Sequence, residues 1–438
     1  MRTIMTLMVA CIACSEAAAQ PCTFDESTAK DATSGTITLP WRTDYPSSTG
    51  PDPHPWSAID FKAQWREYLA AVLSTIKSAG FRIENSKIAM NPGHRWWIAH
   101  WMDYGPAGRE SMNGLTKERA PHAGDLSQGS PSGAQLWAIG WYNSWGAIRL
   151  RTVFANKCNP QMSNGQVFRQ HTVSFKTLFT DADPADVPYL QGSPTITAMI
   201  DAPGVTGNSN PANRQPRQLR LLQIDIAVRD NRATDTRWVF GTYVWKGPPT
   251  GDGLFDNLVP VGLHWGNDPG NVGTQMTEGR VNPDLAGILF DRPGRAWMGF
   301  RGRVNGPADN KFSACLSCHG ASQWPRSPRG IVVSGNVGTD PGDIQTHVND
   351  YFKNIKGGQL FDAQVQGATA LDYSLQLEAA FTRMCTACQT GALVGKTPNL
   401  CHKNPRFDNL GVNCNLKPDR NRPAPLPLDI LDQPLPRQ

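Results

Sequence analysis

Residues 238–245 read Trp238-Val239-Phe240-Gly241-Thr242-Tyr243-Val244-Trp245. Seven of these eight side chains are β-branched or aromatic, the types that fit a pleated surface, so the segment reads as a strand. Upstream, Leu219 to Val228, Thr172-Val173-Ser174-Phe175-Lys176 and Gln135-Leu136-Trp137-Ala138-Ile139-Gly140-Trp141 have the same character. Gly, Pro, Asn and Asp punctuate the intervals between them, as turns require. From Thr36 to about Arg295 the pattern is that of a β-rich sandwich or barrel. One helix interrupts it, from about Phe61 to Ser78, where Trp65, Leu69, Val72 and Ile76 recur at helical spacing.

Downstream of about Met298 the pattern changes. Asp340-Pro341 supplies an N-cap and a first-turn proline, and Ile344, Val348, Phe352 and Ile355 then share one helical face before Gly357-Gly358. A second helix is expected from about Leu371 to Cys388, with Tyr373, Leu377, Phe381, Met384 and Cys388 on one stripe. Lys417 to Gln438 holds six prolines and no period, which reads as an extended tail. The expected fold class is therefore multidomain α+β: a signal peptide at 1–19, a β-rich domain at 20–296, a small, mainly helical domain at 297–416 and a Pro-rich tail at 417–438.

Composition agrees. In 438 residues there are 41 Gly and 35 Pro, about 17% of the chain against a usual ~12%, and only 18% are charged, which disfavours long solvated helices. Fourteen Trp make the chain too rich in core-forming side chains to be disordered. The net charge is +5 with no block of like charges, so neither a nucleic-acid groove nor a polybasic membrane patch is supported.

At the start, Arg2, the apolar stretch Ile4 to Cys14 and Ala17-Ala18-Ala19 have the layout of a secretory signal cleaved near Gln20. No later run approaches the ~18 apolar residues of a membrane-spanning helix. Beyond the signal lie eight cysteines, an even number that suits an oxidising compartment, periplasmic or secreted. Six of them fall between Cys315 and Cys414, so the last third carries covalent chemistry of its own.

The decisive motif is Cys315-Leu316-Ser317-Cys318-His319. At this chain's own frequencies, Cys-x-x-Cys-His would arise by chance about 0.005 times. Two thiols three apart can add across the two vinyl groups of one porphyrin, and the next residue is then placed to set an imidazole on the iron. With this pentapeptide the chain resembles the c-type cytochromes. The resemblance implies one covalently attached haem c, with Cys315 and Cys318 as attachment points and His319 as proximal iron ligand. It also implies electron transfer, a redox partner protein, and a compartment where cytochrome c matures in bacteria. The same residues read as a redox or structural disulfide, or as half of a zinc site, are the competing explanations. The 66-residue gap to Cys385-Thr386-Ala387-Cys388 is far from the usual zinc-ribbon spacing of about 15 to 20.

That second Cys-x-x-Cys is followed by Gln389 where an axial His is needed. Cys385, Cys388, Cys401 and Cys414 read instead as disulfides bracing the haem-bearing segment, with Cys22 and Cys158 a candidate pair in the first domain; spacing alone does not choose among pairings. For the sixth iron ligand Met384 is the first choice: it is the only methionine after His319, and a distal Met about 65 residues downstream resembles the class I monohaem cytochromes. His347, His402 and an open position are the alternatives. The segment Val304 to Asn310 departs from that class, being loop-like where the class has a helix.

Two His/Trp clusters complete the inventory. Asn91 to Trp101 gathers His94, His100, Trp96, Trp97 and Trp101, and His264-Trp265-Gly266-Asn267-Asp268 reads as a turn. Either could line a pocket, although packing at a sheet rim is the commoner use of such residues. No nucleophile elbow, P-loop, zinc-protease helix or dinucleotide fingerprint is present. The expected function is thus an exported monohaem cytochrome acting as carrier or electron-transfer subunit; the alternative is a haem-dependent oxidoreductase, of peroxidase or dehydrogenase type, binding substrate at the β-rich domain. From Trp297 onward 15 Lys or Arg face 11 Asp or Glu, nearly all of the net charge, which would favour an acidic redox partner.

Overall fold

The computed structural model describes residues 41–102, 109–127, 129–205, 213–248, 251, 253–270, 276–285, 299–311, 313–327, 348–389, 393, 395–407 and 410–414, with the backbone of 28–31 and 35–38. In chain order the elements are β1 (Thr28–Asp31), β2 (Gly35–Thr38), α1 (Trp65–Lys77), β3 (Arg82–Glu84), β4 (Lys87–Ala89), β5 (Trp96–Trp97), β6 (Thr116–Lys117) and β7 (Leu136–Asn143). Next come α2 (Ser144–Val153), β8 (Val173–Thr180), β9 (Thr195–Ile200), β10 (Gln215–Arg229), β11 (Trp238–Trp245), β12 (Leu258–His264) and β13 (Gly279–Val281). The last are α3 (Cys315–Gly320), β14 (Gln323–Trp324), β15 (Thr369–Ala370) and α4 (Leu375–Gln389).

Nine strands form one antiparallel sheet in the order β13-β12-β11-β10-β8-β7-β5, with β6 added to β7 and β9 to β10. The strands expected from the sequence are all in it, yet they make neither a two-sheet sandwich nor a closed barrel among the described residues. The two faces of this single sheet are covered by different partners. Along β11, Val239 and Tyr243 point into a core with α1 residues Leu69, Val72 and Ile76, while Trp238 and Phe240 point into a second core. This is the alternation a pleated strand imposes. Gly241 is where α1 comes closest: a Cβ there would meet Leu69 Cδ2 at 2.8 Å and the Gly262 carbonyl at 3.2 Å. A side chain there would force Leu69 to move. The expected helix stripe is correct, since Trp65, Leu69, Val72 and Ile76 are all buried, although the helix begins at Trp65.

The second core corrects the picture of a separate helical unit at 297–416. It joins Tyr142, Leu150, Phe168, Trp238 and Phe240 from the first part of the chain to Leu316, Trp324, Leu377, Phe381 and Met384 from the last. Helices after residue 297 amount, among the described residues, to α3, a turn at Val348–Tyr351, α4 and single 3-10 turns at Phe300–Gly302, Cys401–Lys403 and Pro405–Phe407. Their apolar stripes are spent on the sheet face, which offers far more apolar area than so few short helices offer each other. The helix expected from Asp340 reaches the described residues only at Val348; there Val348, Tyr351 and Phe352 pack with Ala314 and Phe361. The signal peptide and the Pro-rich tail lie outside the described residues, within which no helix is long and apolar enough to cross a membrane.

Disulfides Cys385–Cys401 and Cys388–Cys414 tie α4 to the segment that follows it. Cys158 is also disulfide-bonded, its partner lying outside the described residues. Closing a loop of 16 residues in the unfolded chain is worth about 3 kcal/mol. Replacing Cys385 and Cys401 together by Ala should therefore lower the free energy of unfolding in urea by about 3 kcal/mol; an unchanged midpoint would show that this loop is already ordered in the unfolded chain.

Candidate functional site

Helix α3 is a short turn placed by its surroundings more than by propensity. Ala314 N–H donates to Ser317 Oγ (2.9 Å), and Leu316 N–H donates to His264 Nε2 (3.2 Å). His264 is fully buried and held neutral, its pKa pushed down to about 3 by burial first and then by the Arg303 guanidinium, so Nε2 is available as an acceptor. His264 is thus the last residue of β12 and a cap for α3, a role that its local sequence does not announce. Cys315 and Cys318, three apart on one helical turn, share a face. Neither is in a disulfide, whereas every other described cysteine is. Cys315 Sγ lies 3.5 Å from Thr242 Oγ1 and 3.3 Å from Asn305 Oδ1. Burial, followed by Asp309 and Asp225, raises its pKa well above the usual thiol value. Such a thiol is a poor nucleophile for disulfide exchange.

His319 follows directly, half-buried, with Phe240 against its ring at a centroid distance of 4.9 Å. Its Nδ1 donates to the Tyr373 carbonyl at 2.9 Å, which leaves the Nε2 lone pair as the coordinating atom. Burial lowers the imidazole pKa to about 4, keeping it neutral as a ligand must be. The carbonyl it uses sits in unusual backbone: Asp372 (φ 47°) and Tyr373 (φ 68°) are both left-handed, a region costly for residues with a Cβ. The turn is fixed by the Asp372 carboxylate. Its Oδ1 accepts from Trp238 Nε1 (3.0 Å) and pairs with Arg229 Nη1 (3.2 Å); its Oδ2 accepts from Phe168 N–H (2.6 Å). Ser374 then caps α4 by accepting from Leu377 N–H (3.1 Å).

All three motif residues line one cavity of about 200 Å³ between the sheet's second face, α3 and the start of α4. Trp238, Phe240, Tyr373, Tyr142 and Phe168 give it flat aromatic walls, and Arg109, Arg119 and Lys176 add positive charge. Among the described residues no group of three or more His, Cys, Asp or Glu converges on a common metal position. A porphyrin asks less of the protein, since the ring itself holds the iron and only axial ligands are needed. The donor set, the two thiols and the aromatic walls fit a haem.

The sixth-ligand candidates fare differently. Met384, the first choice, is wholly buried in the core and is not among the residues that line the cavity. The reason is helical phase: Leu375, Gln376 and Ala379 face the cavity, and Met384 lies about 140° round the helix from Ala379. Gly140 lets α4 approach, since a Cβ there would sit 2.8 Å from Gln376 Nε2. His402 is exposed on a turn away from the lining, and His347 lies outside the described residues. The lining does hold a methionine that sequence reasoning missed, Met102. It follows Trp101, whose left-handed backbone (φ 65°) and Nε1 bond to the Lys157 carbonyl (2.7 Å) fix the segment, while Arg383 Nη1 donates to the Met102 carbonyl. The rest of the Asn91 to Trp101 cluster packs without reaching the cavity: Trp97 Nε1 bonds the Asp44 carbonyl, and His100 meets Tyr45 and Phe154 edge-on.

No family model, curated protein or solved structure matches this chain. The functional reading rests on the site alone.

Proposed function

We propose that the protein is an exported monohaem c-type cytochrome whose basic activity is electron transfer, as a carrier or as the electron-transfer subunit of a larger system. The observation that carries this is the convergence of Cys315, Cys318 and His319 on one aromatic-walled cavity, with His319 Nδ1 already tied to a backbone carbonyl. Bound there, haem would supply a one-electron iron couple. Cys315 and Cys318 would hold the ring edge covalently through its two vinyl groups. His319 presents Nε2, and Tyr373 keeps that ring from rotating. The surrounding aromatic side chains exclude water, which lowers the reorganisation that each change of charge requires. The haem-bearing segment acts as the cytochrome c-like unit while leaning on the sheet. The disulfides and the signal-like start support a periplasmic or secreted location.

In this reading Met102, on the cavity lining, would supply the second protein ligand to the iron. The oxidised, haem-loaded protein should show the weak near-infrared band of methionine sulfur on ferric iron. Met102→Ala should abolish that band and lower the potential, since a Met/His pair raises it, whereas Met384→Ala should keep both. The opposite result would assign Met384. Charged residues on the cavity wall, Lys176 and Asp225 among them, favour a second reading, a haem-dependent oxidoreductase whose substrate meets the sheet face. Rapid cyanide or carbon monoxide binding at neutral pH by the parent protein would select it.

A further inference from the structure

Asp225 in β10 and Asp309 in the loop before α3 both line the cavity, and one side chain holds them together. Gln223 Nε2 lies 2.9 and 3.0 Å from the two Asp225 oxygens and 3.0 Å from Asp309 Oδ2. The amide orientation is fixed from its other end, where Gln223 Oε1 accepts from Ala308 N–H at 2.9 Å. Asp309 Oδ2 also accepts from Gly306 N–H (2.8 Å), and Asp225 Oδ1 from Thr242 Oγ1 (2.9 Å), the hydroxyl that touches Cys315 Sγ. The carboxyl pair is thus two contacts from a thioether position. Around it, β8 supplies Lys176, 4.0 Å from Asp225 Oδ2 and also 3.8 Å from Glu118, beyond β6. From α3 come the Cys315 thiol and His319; β11 contributes only the neutral Thr242 and β7 only Gly140. Arg119 also lines the cavity, bonded to the Ala308 carbonyl and to Asp125, and Lys311 pairs with Asp125. The buried Asp225 carboxylate thus has a second carboxylate held beside it by one amide, an arrangement that disfavours its charged form.

We propose that Asp225, held beside Asp309 by Gln223, takes up one proton when the iron at His319 is reduced, coupling electron transfer to proton transfer. The inference rests on the haem reading above. Reduction by a one-electron donor protein would remove one positive charge from the site, and a proton from water would then bind Asp225 and restore the local charge. Reoxidation by a one-electron acceptor protein would return that proton to water. Asp225 is poised for this, its pKa pushed up to about 7 by burial first and by Asp309 second.

The test is a spectroelectrochemical titration of the haem-loaded protein from about pH 6 to pH 9. Because the reduced form binds the extra proton, the midpoint potential should fall as pH rises, by up to about 59 mV per unit, a tenfold change for one electron. Asp225→Asn should flatten the slope. Asp309→Asn, which keeps the Thr242 and Lys176 contacts of Asp225, should move the sloping region to lower pH, and it serves if the first variant does not fold. A haem-loaded parent with a flat potential, or a slope unchanged in the folded variants, overturns the coupling. Absence of covalent haem, read before any titration, instead overturns the reading beneath it.

Discussion

A Cys315→Ala/Cys318→Ala variant, expressed beside the parent with bacterial cytochrome c maturation machinery, should lose every trace of haem on a denaturing gel. The parent should keep a haem-stained band and gain the mass of one haem. The contrast is all-or-none because denaturant releases a cofactor held by packing and axial bonds but leaves thioether bonds intact. Each single variant should keep one thioether and stain weakly. The second Cys-x-x-Cys offers no escape route, since Cys385 and Cys388 are committed to Cys401 and Cys414. A matured parent without covalent haem, or a double variant that still stains, would remove the cytochrome reading.

Asp372→Ala should be the most destabilising single change at the site. The Arg229–Asp372 pair is buried, with side-chain exposures of 7% and 0%. Burial pushes the carboxyl up and the guanidinium down, so each charge is tolerated only because the other is present. Removing the carboxylate strands Arg229 and two further donors, Trp238 Nε1 and Phe168 N–H, at a cost of about 3–5 kcal/mol. It also frees the left-handed turn that presents the Tyr373 carbonyl to His319. Denaturant unfolding reads the first effect. The second appears in haem-loaded protein as a raised potential, because an imidazole that loses its Nδ1 acceptor is a weaker donor to iron(III). Asp372→Asn keeps the shape but removes the charge and turns an N–H2 toward one of these donors, so it should recover little of the stability. A loss below about 1 kcal/mol in the Ala variant would show that water replaces the carboxylate.

Much of this was legible from spacing alone. The alternation in Trp238–Trp245 and the stripe Trp65, Leu69, Val72, Ile76 depend on local geometry, with periods of 2 and 3.6 that any window reveals. Cys315, Cys318 and His319 are just as local, since the motif spans five consecutive residues. What only the tertiary structure decided depends on residues far apart in the chain. It chose a single sheet with both faces covered over a sandwich, because a period of 2 says that a face is buried and not what buries it. It moved the methionine at the cavity from Met384 to Met102: helical phase after Ser374 carries the first into the core, and the sheet's position brings the second, more than two hundred residues before His319, to the lining. It joined Asp225 to Asp309 through Gln223 and set His264 under α3, contacts across 84 and 52 positions. Side-chain chemistry names the groups that can react, and chain topology selects which of them meet.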